Sequence, residues 1–207
     1  SSITLNGADA SNYTVVPTSQ ASGTITVRPS STWVASTSGN WSTASNWDVM
    51  PDGTNVAAVV LPPNVSVTFD AAASAASLKS LTNAASLVIS GSGLRVGLVA
   101  NSGSVTVAAG ATLDLSGSSV LGSGTLLNQG SLLLAGSTVG NALSNAGVVT
   151  LTGVNTLGRV SNSGEFLLRS GSTGVEGFTQ TAGTTTIGVS GGVLPTLTTA
   201  PGGFTMD

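Results

Sequence analysis

Along this chain, pairs of apolar residues separated by one small or polar residue recur after a short Asn-x-Gly punctuation mark. Asn128-Gln129-Gly130, Asn145-Ala146-Gly147 and Asn162-Ser163-Gly164 stand 17 residues apart, and Asn101-Ser102-Gly103 lies 27 residues upstream. Looser copies are Asn83-Ala84-Ala85 and Thr181-Ala182-Gly183. The fourth and sixth positions after the Asn are Leu87 and Ile89, Val105 and Val107, Leu132 and Leu134, Val149 and Leu151, and Phe166 and Leu168; in the last copy they are Thr185 and Ile187. Alternate residues of a strand face the same side. Each apolar pair therefore points inward, and Thr106, Leu133, Thr150, Leu167 and Thr186 between them point outward.

A fixed, short period marks a solenoid. The expected fold is all-β: a parallel β-helix, expected to be right-handed although the pattern does not fix its hand, preceded by a small partial Ig-like strand segment. Rungs about 4.8 Å apart, roughly seven of them, make a rod of roughly 30–35 Å. Leu143, Val160 and Phe178 suggest a second inward set. Asn101, Asn128, Asn145 and Asn162 are expected to stack as one amide ladder. The Gly of each triplet is expected to supply a positive φ at the corner. The 27-residue interval is read as one enlarged or irregular rung, in which Ala109-Gly110-Ala111-Thr112-Leu113-Asp114-Leu115 copies the pattern without its Asn. A flat β-sandwich of similar hairpins is the alternative, but even coils need no long return connections. Helix is expected to be nearly absent; Ala71 to Leu78, the nearest approach to one, leads into the first rung.

Three textures precede and follow this repeat. Residues 1–30 hold strand-like runs at Ile3-Thr4-Leu5 and Thr24-Ile25-Thr26-Val27. Residues 31–63 contain Trp33, Trp41 and Trp47 and read as an N-terminal cap. The β-helix proper is expected over 64–188, and 189–207 is a tail or partial strand. The chain opens at Ser1 in what already reads as strand, so it is taken as a fragment or as a piece from which a leader was removed.

Charged residues make up 6% of the chain, against the usual quarter, and Ser, Thr, Asn and 28 Gly take their place. The net charge of −3 and five basic residues speak against nucleic acid, which needs a basic stripe. No apolar run reaches the length of a membrane helix. With no cysteine and no histidine, disulfides, thiolate sites, the usual general base and most transition-metal sites drop out. No cofactor is expected. Asp48 and Asp52 could hold calcium with backbone carbonyls, but Asp52-Gly53 reads better as a simple turn. Glycoside hydrolysis needs paired carboxylates. The acidic residues here read instead as surface charges: Asp114 outward between Leu113 and Leu115, Glu165 sharing a face with Arg169, Glu176 about one rung after Arg159. Trp41 and Trp47 are the candidate ligand-binding residues, because indoles can stack on sugar rings; the preferred reading has them closing the end of the solenoid.

Two segments carry a resemblance. Leu5-Asn6-Gly7-Ala8-Asp9-Ala10-Ser11-Asn12-Tyr13-Thr14 with Ala21-Ser22-Gly23-Thr24-Ile25-Thr26-Val27-Arg28-Pro29 resembles the closing strands of MBG/YDG-type Ig-like repeats. Gly39-Asn40-Trp41-Ser42-Thr43-Ala44-Ser45-Asn46-Trp47-Asp48, followed by Pro51-Asp52-Gly53-Thr54-Asn55-Val56-Ala57, is similar to the Trp-rich segment that opens β-helical passenger regions. Both belong to large secreted bacterial haemagglutinin-like and autotransporter-like adhesins. The resemblance implies an extracellular or bacterial cell-surface location and supplies no catalytic residues.

The expected function is therefore non-enzymatic: an adhesin stalk or biofilm-matrix fibre component. Its partners would be itself, through strand donation from residues 1–30 into a filament, or exopolysaccharide and cell-surface glycans. A carbohydrate-binding module using Trp41 and Trp47 is the alternative, and a polysaccharide-degrading β-helix enzyme is the second. Ice binding ranks last, since regular outward Thr pairs are evident only at Thr184 and Thr186.

Overall fold

The computed structural model describes residues 28–51, 56–73, 76–91, 93–188, 195–200 and 203–206. The Ig-like strands expected over residues 1–30 therefore lie, up to residue 27, outside the described residues. What is described is a β-solenoid of about seven turns, in which the strands stack in parallel upon their counterparts one coil away.

Each coil presents three faces. Face I stacks β1 (Arg28–Thr32), β3 (Val56–Leu61), the second halves of β5 (Ala76–Asn83) and β7 (Leu94–Asn101), β10 (Ser119–Leu121), β13 (Thr138–Val139), the first halves of β16 (Val154–Asn162) and β18 (Ser172–Gln180), and β20 (Thr196–Thr199). Face II stacks β2 (Gly39–Asn40), β4 (Ser66–Phe69), β6 (Ser86–Ile89), β8 (Ser104–Val107), β11 (Thr125–Asn128), β14 (Ala142–Asn145), the second halves of β16 and β18, and β21 (Phe204–Met206). Face III stacks the first halves of β5 and β7, then β9 (Thr112–Asp114), β12 (Ser131–Ala135), β15 (Val148–Thr152), β17 (Glu165–Leu168) and β19 (Thr184–Ile187). The stack thus takes in β1 and β3, which precede the expected start at residue 64, and β20 and β21, which follow the expected end at 188. The one helical feature among the described residues is a single 3-10 turn, Ala44–Asn46.

Alternation decides what is buried. In β12 and β15 the pattern runs half-buried, buried, half-buried, buried, half-buried, which sends Leu132, Leu134, Val149 and Leu151 inside. Leu132, Val149 and Phe166 lie over one another on successive coils, as the period requires. Leu126, Leu143, Val160 and Phe178 make the matching column on face II. Both columns are closed to solvent.

The 27-residue interval is not an enlarged rung. Asn101 ends β7 at the corner between faces I and II; one coil later that corner is Gly122, 21 residues on, packed against the Asn101 carbonyl. Asn128 lies six residues further, at the next corner, between faces II and III. The interval is one coil plus one face. The apolar pairs after Asn83 and Asn101 consequently belong to face II, and those after Asn128, Asn145 and Asn162 belong to face III. A void of about 20 Å³ marks the step, walled by Leu94, Val99, Leu113 and Leu126 with Asn101 at its edge.

The corner glycines also have a different cause from the expected one. Gly103, Gly130, Gly147 and Gly164 do not have positive φ; of the triplet glycines, only Gly183 does, at 68°. They are glycine because the backbone of the coil beneath fills the space of a side chain. A Cβ on Gly147 would collide with the Gly130 carbonyl, and one on Gly164 with the Gly147 carbonyl. Gly136 is the opposite case, with φ of 65° and nothing within 4 Å of a Cβ. Gly136→Ala is expected to cost about 1–2 kcal/mol, the strain of a left-handed residue. Gly147→Ala must push two coils apart and is expected to cost about 3 kcal/mol or more. Urea denaturation of both variants followed by far-UV circular dichroism checks the order.

Candidate functional site

The three tryptophans lie inside the N-terminal end of the stack. The Trp33 and Trp47 rings meet edge-on at 5.1 Å, Trp41 and Trp47 at 4.7 Å, and Trp41 and Phe69 at 5.2 Å. The Trp47 Nε1–H donates to the Trp41 carbonyl at 2.8 Å and that of Trp41 to the Pro51 carbonyl at 3.3 Å. Trp41 and Trp47 are only 1% and 5% exposed. A sugar ring needs an open aromatic face, so neither candidate ligand-binding residue offers one; both serve the plug. The plug forms here because Trp33 follows the first strand of face I and Trp41 the first strand of face II. Their amides donate to the Val60 and Thr68 carbonyls of the coil above.

Two aspartates brace this cap. Asp48 accepts from the Thr32 amide at 2.8 Å, its neighbour Val49 at 2.7 Å and the Ser31 hydroxyl at 3.3 Å, so its carboxylate ties the first strand to the cap. Asp52 lies outside the described residues. Asp70 accepts from the Ser42 hydroxyl at 2.7 Å and the Ser42 amide at 3.1 Å. Burial pushes the Asp70 carboxyl up, but these hydrogen bonds outweigh it and hold its pKa below the ordinary value.

The asparagines form ladders, but not one ladder. The Asn128 side-chain amide donates to Asn145 Oδ1 at 2.7 Å, Asn145 to Asn162 Oδ1 at 2.6 Å, and Asn162 to Gln180 Oε1 at 3.1 Å. Each amide also reaches the backbone of the next coil: Asn128 to the Val148 carbonyl and Asn145 to the Glu165 carbonyl, both at 3.0 Å. Asn101 belongs to a separate pair at the other corner, accepting from Asn83 at 2.8 Å. Beneath Asn128 stands Val107, which has no donor to offer, and Asn128 Oδ1 is left without a partner.

Sequence reasoning placed Asn128, Asn145 and Asn162 together and missed their continuation. The last triplet, Thr181-Ala182-Gly183, disguises it, because Gln180 takes the ladder position one residue earlier. Asn141 was also missed: it donates to the carbonyls of Asn101, Gly122 and Gly124, filling the corner that Gly122 leaves without a side chain. Its flanks, Gly140 and Ala142, carry no triplet signal. Ser118 and Ser137 reach down one coil to the Val96 and Leu115 carbonyls at 2.5 and 2.7 Å, making a third inward polar rank.

Outside, charge is sparse and dispersed. Arg95 and Asp114 face each other on adjacent coils of face III at 3.8 Å. Asp114 feels burial, which raises its pKa, but its hydrogen bonds from Ser116 and the Arg95 charge prevail and lower it. Glu165 and Arg169 stand exposed on the same face. Face II has a shallow depression of about 690 Å³, lined by hydroxyls such as Ser144, Ser161 and Thr179, with Arg159 and Glu176 beside them. Among the described residues no three His, Cys, Asp or Glu side chains cluster as a metal would need, and no helix is long and apolar enough to cross a membrane. Comparison with protein families, with curated proteins and with solved structures finds no match.

Asn145→Ala removes one accepted bond and the two shorter donated bonds from a buried corner. Counting its weaker contact to the Gly147 carbonyl at 3.3 Å as a third donated bond, the change is expected to cost about 3 kcal/mol, whereas Ser144→Ala, one residue away and facing solvent, should stay within about 0.5 kcal/mol; thermal melts of the pair check this. Because the folded-state pKa of Asp70 lies below its unfolded value, its contribution is present above about pH 4 and lost as the pH falls through the folded value. Asp70→Asn should therefore lower the melting temperature at pH 7 and converge on the parent in acid, as read by melts across that range.

Proposed function

We propose that this chain is a non-enzymatic structural and adhesive module, a stalk segment of an extracellular adhesin or a component of a matrix fibre. The observation that supports this most directly is the commitment of the interior. The apolar columns, the Asn128–Asn145–Asn162–Gln180 ladder and the Ser118 and Ser137 bonds all tie one coil to the next. Such a stack converts backbone and side-chain bonding into stiffness along one axis. The resemblance to haemagglutinin-like adhesins agrees with this reading and suggests the bacterial cell surface or matrix as its place. Its partners are glycans of that matrix and other copies of the chain; strand donation by residues 1–30 remains part of this proposal.

The surface chemistry fits weak, distributed adhesion. Hydroxyl ranks run along face II: Ser66, Ser86, Ser104 and Thr125 in one register, Ser144, Ser161, Thr179 and Thr205 in the other. Contacts made by such ranks are hydrogen bonds and van der Waals contacts, which salt screens little. The carbohydrate-binding reading keeps a place here, moved from the buried indoles to the hydroxyl-lined depression beside Arg159 and Glu176.

Beads coated with the purified chain are expected to adhere to bacterial exopolysaccharide films more than albumin-coated beads do, with little loss between low and high salt. The films should release no reducing or unsaturated sugar ends. Adhesion equal to the albumin control would end the adhesive reading, and released sugar ends would establish the polysaccharide-degrading one.

A further inference from the structure

The depression on face II holds two charged side chains that the fold does not use. Arg159 stands exposed on β16, and Glu176 stands exposed on β18 at the corner between faces I and II. Neither has a hydrogen bond or an ion pair with any described residue. Arg95 on face III shows the contrast: its register partner is Asp114, and the two meet at 3.8 Å. The register partner of Arg159 is Gly177, which offers no side chain. Ala142, which takes the place of Thr125 one coil on, is nearly as small. Small residues thus lower the floor around the guanidinium, and the depression reaches about 690 Å³, within the roughly 300–1,000 Å³ of sites that hold small ligands. Beside that floor runs the rank Ser144, Ser161, Thr179 and Thr205, one hydroxyl per coil.

We propose that this depression binds one strand of a neutral polysaccharide, laid along the rod axis across successive coils. The proposal deepens the carbohydrate-binding reading above and rests on it for the kind of polymer. The orientation follows from the lining, which comes from β11, β14, β16, β18 and β21. Strands about 4.8 Å apart carry that lining over roughly 19 Å along the axis, whereas the two outward ranks of each strand stand only about 7 Å apart. The axial direction is therefore the one that admits a chain of linked sugars. The neutrality of the polymer follows from the charges of the site. Arg159 and Glu176 sum to zero, and the other polar side chains of the lining are hydroxyls. A polyanion would set carboxylates against Glu176, and a polycation would set ammonium groups against Arg159. A neutral sugar chain meets neither penalty, because each hydroxyl both donates and accepts: its oxygen serves Arg159, its proton serves Glu176, and either serves the serines and threonines. Hydrogen bonds to ionised groups are shorter and stronger than neutral ones, so Arg159 and Glu176 anchor the strand while the hydroxyl rank tracks it. The C–H faces of the sugar rings rest on Leu127 and Ala142.

Retention of the full chain on a panel of immobilised polysaccharides tests it, with dextran, pullulan, galactomannan and xyloglucan as neutral polymers, alginate as an acidic one and chitosan as a basic one. At least one neutral polymer is expected to retain the chain more strongly than alginate or chitosan do, with little change between low and high salt. Gly177→Leu is the blocking variant. A Cβ there meets its nearest neighbours, Arg159 Cγ and the Gly203 carbonyl, at an ordinary 3.9 Å, so the added side chain fills the depression without displacing backbone. Gly177→Leu, Arg159→Ala and Glu176→Ala are each expected to weaken retention by about tenfold or more, the loss of a hydrogen bond to a charged group. Arg169→Ala and Glu165→Ala make the same charge changes on face III and should leave retention unaltered. Far-UV circular dichroism confirms that each variant is folded. Retention by no neutral polymer, stronger retention by alginate or chitosan, unchanged retention of Gly177→Leu, or an equal loss in the face III variants would each overturn the proposal. Bead adhesion to the exopolysaccharide film is read separately. Adhesive beads without retention on any neutral polymer would sink this assignment and leave the adhesive module standing, whereas retention with film adhesion at the albumin level would sink the adhesive module alone.

Discussion

Neighbouring coils sit about 4.8 Å apart, and everything in this molecule answers to that spacing. At such a distance a side chain meets its own counterpart above and below before it meets anything else. Residues that gain from stacking on their like are therefore favoured: aliphatic groups in columns, and amides whose donor and acceptor ends satisfy each other. The Asn128 to Gln180 ladder and the Leu132, Val149, Phe166 column are two results of one constraint. Glycine at Gly147 and Gly164 is a third, since there the neighbouring coil's carbonyl occupies the place of a side chain.

The same constraint makes the ladders vulnerable where the series breaks. An amide stacked on Val107 loses half its bonding, as Asn128 does, and a buried polar atom without a partner is costly in a low-dielectric interior. The break falls where the ladder moves by one face. It is accompanied by the small void around Asn101 and by Asn141, which reaches three carbonyls to fill the vacated corner. Each device repairs a local mismatch between coils of unequal length.

Function follows from what the stack leaves over. Most interior polar groups bond coil to coil and the N-terminal indoles form a plug, so what the described residues leave over lies on their outer faces. Those faces differ, with hydroxyl ranks on the second and dispersed charge on the third.

The alternation of apolar residues and the 17-residue spacing of Asn128, Asn145 and Asn162 determined the strands, their parallel stacking and three ladder members, because a period set by the backbone is written directly into the sequence. What tertiary structure alone decided was which corner each triplet occupies. Asn101 and Asn128 sit in identical local patterns on different corners, and the difference comes from coil length, which no triplet records. The cap reading of Trp41 and Trp47 came from the sequence, but their partners did not: Trp41 meets Trp47 at 4.7 Å and Phe69, distant in sequence, at 5.2 Å.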